Sequence, residues 1–193
     1  MKKALVDTQQ RGIKLHEYQA GALLSSFRAP IPLGEVAFDH EQAHSIAKKL
    51  PGGCVVKSQI LGGGRGLGHF KENGFKGGVH VVDNADQAME VAKKMIGGHL
   101  VTKQSGADGL PVHCVYIVEK INIAKEMYMS VTLDRAAGCP VFVYSPAGGM
   151  SIEDVAHEDP SKIFKLHVNP FTGPEVEDLM KAADDLGIPE QRS

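Results

Sequence analysis

The sequence predicts a mixed α/β protein of the α+β kind, with mixed and antiparallel sheets and flanking helices. Amphipathic stretches alternate with short β-branched runs in the order helix, β-α-β, β-α-β-β, then a hairpin with a helix. Two strand pairs are joined by short turn signals, Ala107-Asp108-Gly109-Leu110 and Arg135-Ala136-Ala137-Gly138, which favour antiparallel partners. A regular parallel βαβ series would also carry a recognisable phosphate loop. Neither G-x-G-x-x-G nor G-x-x-x-x-G-K-[ST] occurs, because Arg65 and Leu67 stand where those patterns need other residues.

Taken in order, Leu15 to Phe27 reads as a helix with Leu15, Tyr18, Ala22 and Leu23 on one face, ended by Ala29-Pro30-Ile31-Pro32. Glu35 to Phe38 is a short strand. Asp39 caps a helix to Leu50, whose inner stripe is Ala43, Ile46, Ala47 and Leu50. After the turn Pro51-Gly52-Gly53, Cys54 to Ile60 is a strand. Phe70 to Phe75 is polar and glycine-bearing and reads as mobile; Gly77 to Val82 is the return strand. Asn84 caps a helix through Ile96, with Ala88, Val91, Ala92 and Met95 inward, stopped by Gly97-Gly98. Leu100 to Gln104 and Val112 to Glu119 are strands expected to pair across the Asp-Gly turn. Glu126 to Leu133 and Val141 to Tyr144 form the second hairpin. Ile152 to Ala156 is a short helix and Phe164 to Val168 a strand. A last helix, Glu175 to Leu186, turns Val176, Leu179, Met180 and Ala183 inward.

Composition narrows the function classes. The chain has 193 residues, 42% hydrophobic and 23% charged, which supports a real core. Its net charge of -2 gives no general attraction for nucleic acid or membrane, so any phosphate chemistry rests on local cations. Cys54, Cys114 and Cys139 are an odd, widely spaced set, which argues against a disulfide framework and holds no C-x-x-C zinc pattern. No apolar run approaches the roughly 20 residues needed to span a bilayer. Met1 to Gly12 is polar and shows no secretory signal.

The richest stretch is Val55-Val56-Lys57-Ser58-Gln59-Ile60-Leu61-Gly62-Gly63-Gly64-Arg65-Gly66-Leu67-Gly68. A β-branched strand carries a lysine and breaks into a loop of five glycines and one arginine. Glycine lets backbone approach a ligand and allows positive φ, so successive N–H groups can face one anion. Lys57 and Arg65 add fixed positive charge. The loop reads either as a polyphosphate cradle or as a flexible hairpin with two solvated cations. Lys57 inside an apolar strand faces water or a ligand.

Glu119 ends one strand and Glu126 begins the next. Such carboxylates either accept from sugar hydroxyls or sit at an edge paired with Lys120 or Lys125. Lys103 is a weaker candidate for a second phosphate or base contact. His40 and His44 lie one helical turn apart but lack further ligands, and the nine histidines show no metal spacing. No nucleophile–base set is arguable, so no catalytic residue is assigned.

Ordered blocks along the chain resemble the beta subunits of succinyl-CoA synthetases (succinate–CoA ligases). They are Leu15-His16-Glu17-Tyr18-Gln19-Ala20, Val55 to Gln59, Gly63-Gly64-Arg65-Gly66, Gly74 to Val79, Leu100 to Gln104, Val118-Glu119, Ile123 to Tyr128, Asp134-Arg135, Gly148 to Ala156 and Pro170 to Gly173. The resemblance implies an ATP-grasp fold, incomplete here: residues 15–188 form the N-terminal portion of the domain, after an extension at 1–14 and before a tail at 189–193. It implies that Lys57 contacts phosphate, that Gly64, Arg65 and Gly66 wrap the nucleotide, and that Glu119 and Glu126 line the base and ribose side. The implied cofactors are ATP/ADP, or GTP/GDP, with Mg²⁺. The implied reaction converts succinyl-CoA, phosphate and a nucleoside diphosphate to succinate, CoA and the triphosphate through a phosphohistidine on a separate alpha subunit. That subunit, nucleotide, succinate and CoA are the partners expected of the full enzyme, and nucleic acid and membrane are not.

Two departures stand out. The family usually carries lysine where this chain has Leu67, which removes one cation from the loop. The family's beta subunit is also about twice as long, and its magnesium-binding segments have no counterpart before Ser193. The expectation is therefore a fragment without ligase activity of its own. Pro32 resembles ADP-forming members, and the insertion Phe70 to Lys76 resembles mitochondrial-type subunits, so the matrix is the expected home, with a bacterial cytoplasm as the alternative. Other acyl-CoA ligases of the superfamily (malate–CoA ligase or ATP-citrate lyase types) and a non-catalytic binding module stay open.

Overall fold

A computed structural model describes residues 14–149 and 152–189. The extension at 1–14 and the tail at 189–193 fall almost wholly outside these residues, as do Met150 and Ser151 of the Gly148 to Ala156 block. The chain divides into two compact units, one ending at Ile121 and one beginning at Asn122.

The first unit is built on a four-stranded antiparallel sheet. Its strands are β1 (Gly34–Ala37), β2 (Cys54–Ser58), β4 (Val79–Val82) and β7 (Val115–Glu119), in the order β1-β7-β2-β4. Helices α2 (His40–Ala47) and α3 (Ala85–Met95) pack on it through Ala43, Ile46, Ala88, Ala92 and Met95, the stripes that the helical period marks. Asp39 and Asn84 cap them as expected, each accepting from the backbone N–H three residues on. Along β2 the burial alternates. Cys54, Val56 and Ser58 are buried, while Val55 and Lys57 face the other side.

The hairpin expected between Leu100 to Gln104 and Val112 to Glu119 is not formed as such. The Asp-Gly turn closes only β6 (Leu110–Pro111) onto β5 (His99–Val101), which also pairs with β3 (His69–Phe70) in a second, three-stranded sheet. The chain then leaves that sheet, and β7 enters the centre of the larger one. Val115 to Val118 are all buried, and an uninterrupted apolar run is satisfied only where both faces are covered. Lys103 accordingly lies in an exposed turn, not in a strand. Phe70 to Phe75 is also more ordered than its composition indicates. Phe70 is fully buried and its N–H donates to Phe75 O at 2.8 Å, while Asn73 Nδ2 donates to Lys94 O.

Helix α1 (Glu17–Ser26) opens with Gln19 Oε1 accepting from His16 N–H. Its expected inner face is not buried: Leu15 and Leu23 are exposed. The helix is held at its first turn, where Tyr18 meets Tyr116 and Glu17 meets two cations of the sheet and loop.

The second unit is a three-stranded antiparallel sheet of β8 (Tyr128–Asp134), β9 (Cys139–Ser145) and β10 (Phe164–His167), in the order β10-β9-β8. The β8–β9 turn is the one expected. Asp134 Oδ1 accepts from the Ala136 and Ala137 N–H groups, and Gly138 takes φ +68°. His167 Nε2 lies 2.9 Å from Asp134 Oδ2 across the sheet. Helix α4 (Ile152–Glu158) precedes β10, and α5 (Val176–Leu186) follows it, tied to β9 by Tyr144 Oη donating to Asp185 at 3.0 Å. Lys125 Nζ donates to Leu186 O at the C-terminus of α5, the charge sign that the helix dipole favours. Val176, Leu179 and Met180, expected to face inward, are exposed, because no other described element covers that face.

The core predicts its own sensitivity. Phe70→Ala removes a side chain with no exposed surface and should lower unfolding free energy by about 3–5 kcal/mol, whereas Leu67→Ala, 90% exposed, should change it by less than about 0.5 kcal/mol. Urea unfolding followed by circular dichroism distinguishes the two.

Candidate nucleotide-phosphate site

Strand β2 delivers Lys57 to the face opposite the core, one residue before the strand ends and five before the first glycine of the loop. Lys57 stands across from Tyr116 on β7 and Val79 on β4. The loop then folds back. The N–H of Gly78 donates to Arg65 O at 2.8 Å, that of Gly77 to Gly68 O at 2.7 Å, and that of Gly63 to Gln104 Oε1 at 2.9 Å. Gly64 adopts φ +75° at the entrance to a 3-10 turn, Arg65–Leu67, a conformation that disfavours any residue with a Cβ. The loop is therefore pinned on both sides and runs from β2 into β3 of the other sheet, unlike the flexible hairpin of its second reading.

Pinning the loop brings Arg65 beside Lys57. Lys57 Nζ donates to Glu17 Oε1 at 3.0 Å, and Arg65 Nη1 donates to Glu17 Oε2 at 2.8 Å and to Ser58 O at 3.0 Å. One carboxylate, from α1, therefore spans the two cations of the sequence-predicted site. The three side chains are 23% to 32% exposed, so this is neither a solvated surface pair nor a dry one. Burial pushes the Glu17 carboxyl up, but the charges of Arg65 and Lys57 outweigh it and hold it below the usual range. Burial raises the nearby Tyr116 phenol, with Glu17 adding to the effect. Burial, His113 and Arg65 lower His16. Gln59, almost fully buried, fixes the base of the cluster through Nε2 to Lys57 O.

Two clefts flank the loop. One, of about 400 Å³, is lined by Glu17, Ile60, Gly62 and Arg65 among others. The other, of about 470 Å³, is lined by Gly66 to His69, Gly74, Lys76 and Gly77. Gly66 has no atom within 4 Å of where a Cβ would stand, and its φ is not positive, so nothing inside the protein requires glycine there.

The structure thus groups Lys57, Gly64, Arg65 and Gly66. Glu119 lies three residues along β7 from the partner of Lys57, about 10 Å away by strand rise, where its Oε1 accepts from Leu33 N–H at 2.7 Å. Glu126 belongs to the second unit. It is exposed, its carbonyl accepts from Gly148 N–H at 3.2 Å, and its carboxylate lies where a Cβ on Gly149 would stand. His44 bonds Asp86, joining α2 to α3, and among the described residues no group of three or more His, Cys, Asp or Glu is placed to hold a metal.

Glu17 was missed as a site residue. It stands 40 and 48 residues from its two partners, and its helix gives no periodic hint of them. Its only signal is its place in the block Leu15 to Ala20.

The profile of the ATP-grasp domain family matches residues 14–193. The chain belongs to the ATP-grasp family. Among individual relatives it is 43% identical over 183 residues to the succinate–CoA ligase [ADP-forming] subunit beta of Blastocystis sp. subtype 1, covering 92% of this chain and 44% of that protein. It is 44% identical over 181 residues to the mitochondrial ADP-forming subunit beta of Dictyostelium discoideum, covering 93% and 40% respectively. It is 46% identical over 179 residues to that of Rhizobium meliloti, covering 91% and 45%. The resemblance read from the ordered motifs is thereby borne out, and the chain spans less than half the length of these curated relatives. In solved structures its fold matches a dinucleotide-forming acetyl-coenzyme A synthetase 1 of Ca. Korarchaeum cryptofilum, with TM-score 0.60 at 15% identity, over 89% of this chain and 65% of that one. At that identity the likeness is one of fold, and it agrees with the α+β, antiparallel architecture expected from the sequence.

The shared ion pair makes a prediction within the family fold. Glu17→Ala leaves two part-buried cations without their counter-ion and should cost about 1–3 kcal/mol at pH 7. Because the folded carboxyl is held below its ordinary value of 4.5, its contribution is present above pH 4.5 and is lost as pH falls through the lowered value. Urea midpoints of wild type and Glu17→Ala should therefore converge as pH falls below 4.5.

Proposed function

We propose that residues 15–188 are the nucleotide-holding N-terminal part of an ADP-forming succinate–CoA ligase beta subunit. The observation that carries the site is the convergence of Lys57 and Arg65 on a single carboxylate beside a pinned glycine loop. Two cations that hold one anion in common form an anion seat. The activity is supported by relatives at 43–46% identity that bear this name.

In this reading Lys57 and Arg65 face the phosphates of ATP or ADP. Gly64 and Gly66 allow the backbone to approach them, and Glu119, at the end of β7 in the same unit, serves the ribose and base. The fixed cations offset charge as the phosphoryl group passes to or from the alpha subunit's phosphohistidine. Succinate and CoA are the further substrates of the whole enzyme. Magnesium is expected there too, but the described residues offer no group of three or more His, Cys, Asp or Glu placed to hold it. Among the described residues no helix is long and apolar enough to cross a membrane. The Phe70 to Lys76 insertion favours the mitochondrial matrix, with a bacterial cytoplasm as the alternative, and the relatives include a mitochondrial protein as well as bacterial ones.

Titration calorimetry tests the site. ATP should bind the wild-type chain, and Lys57→Ala should weaken it by about tenfold or more, since one charge-assisted contact is lost. Leu67→Lys, which adds a cation to an exposed loop position, should tighten ATP binding severalfold. GTP should bind more weakly than ATP. Equal ATP affinity in wild type and Lys57→Ala would remove the cradle reading.

A further inference from the structure

The same cluster holds a residue that works against its ligand. We propose that Glu17 is the resident counter-ion of the phosphate seat: its carboxylate occupies the place between Lys57 and Arg65 and must be displaced when a polyphosphate enters. The inference rests on the reading of Lys57 and Arg65 as phosphate contacts and goes beyond it, because it gives α1 a role in setting affinity.

Three features carry it. The carboxylate uses a different oxygen for each cation, 3.0 Å to Lys57 and 2.8 Å to Arg65, the arrangement a phosphate would adopt there. Its backbone lies on a helix that is otherwise loosely held. No residue of α1 is buried, and Leu23, Leu24 and Phe27 are exposed, so the Glu17 side chain can leave the two cations without opening the core. The cleft beside Arg65 is lined by Glu17 itself, so the carboxylate stands in the approach to the seat. Counting formal charges, Lys57 and Arg65 with Glu17 give +1, and without its charge they give +2.

The consequence is a trade between the empty and the occupied protein. Glu17 neutralises two crowded cations while the seat is empty, which stabilises the fold, and it repels an incoming phosphate, which lowers affinity. A residue that only aligned Lys57 and Arg65 would do the reverse to affinity: its loss would weaken binding. Glu17→Gln separates the two roles, since it keeps the length and one acceptor oxygen and removes the charge.

The test titrates wild type, Glu17→Gln, Glu17→Asp and Lys57→Ala with metal-free inorganic tripolyphosphate, with ATP and with adenosine. Glu17→Gln should bind tripolyphosphate and ATP about three- to thirtyfold more tightly than wild type, between the limits for one unit charge a few ångströms away in water and at a protein surface. Adenosine should gain nothing, and Glu17→Asp, which keeps the charge, should stay within about threefold of wild type. Where Glu17→Gln fails to fold, Glu17→Ala is read for the same sign. Unchanged or weaker tripolyphosphate binding by Glu17→Gln, with Lys57→Ala impaired, overturns the counter-ion role and leaves the cradle standing. Tripolyphosphate binding that is equal in Lys57→Ala and wild type, or absent from every protein, overturns the cradle and the inference together.

Discussion

The antiparallel register between β2 and β7 is the constraint on which the site depends. It sets Lys57 opposite Tyr116 and Val56 opposite Ile117. Side chains alternate across a strand, so a slip of one residue would bury the Lys57 ammonium among Ile46, Ile117 and Met95 and expose Val56. Burying an unpaired charge costs several kcal/mol and exposing a core valine costs about 2 more, so the register is fixed by both faces at once. The same register aims the strand's last residues at the glycine loop. Lys57, the cation of the candidate site, is therefore placed by the hydrophobic core behind it, not by the loop in front of it.

What the sequence revealed follows from where information is local. The capped helices α2 and α3, the β8–β9 turn and the strand carrying Lys57 each depend on signals within a few residues, and each lies where the pattern puts it. The partner of β7 does not. A turn such as Asp108-Gly109 announces that the chain reverses, but it does not say how far the pairing runs. Here Pro111 lacks an N–H to extend it, and the buried run Val115 to Val118 is claimed by the larger sheet. The exposed apolar faces of α1 and α5 show the opposite failure. A helical stripe predicts that a face wants cover, and the described residues do not supply it. In the site, Lys57 and Arg65 were legible because a cation in an apolar strand or a glycine loop is conspicuous. Glu17 was not, because an acidic residue in the first turn of a helix is ordinary, and its pairing is set by tertiary structure alone.

Charge balance links stability to binding at this site. Two cations within reach of one carboxylate repel each other, and in part-buried surroundings that repulsion is poorly screened. A protein that holds such a pair ready for an anionic ligand must neutralise it when the ligand is absent, or lose stability. Drawing the neutralising group from α1, whose side chains are not buried, keeps that compensation reversible. Had the carboxylate come from β7 or α3, releasing it would have strained the core.

The glycines of the loop divide on similar grounds. Gly64 needs its positive φ, and a Cβ on Gly68 would stand 2.6 Å from Val101 O, so the fold itself demands both. Gly66 is demanded by neither conformation nor crowding. Glycine is costly in flexibility, and at Gly66 neither conformation nor crowding within the described residues offsets that cost. Gly66 sits next to Arg65 and lines the cleft of about 470 Å³, where an absent side chain leaves backbone open to a ligand. Gly66, one residue beyond Arg65, is therefore the loop glycine whose open backbone the fold itself does not require.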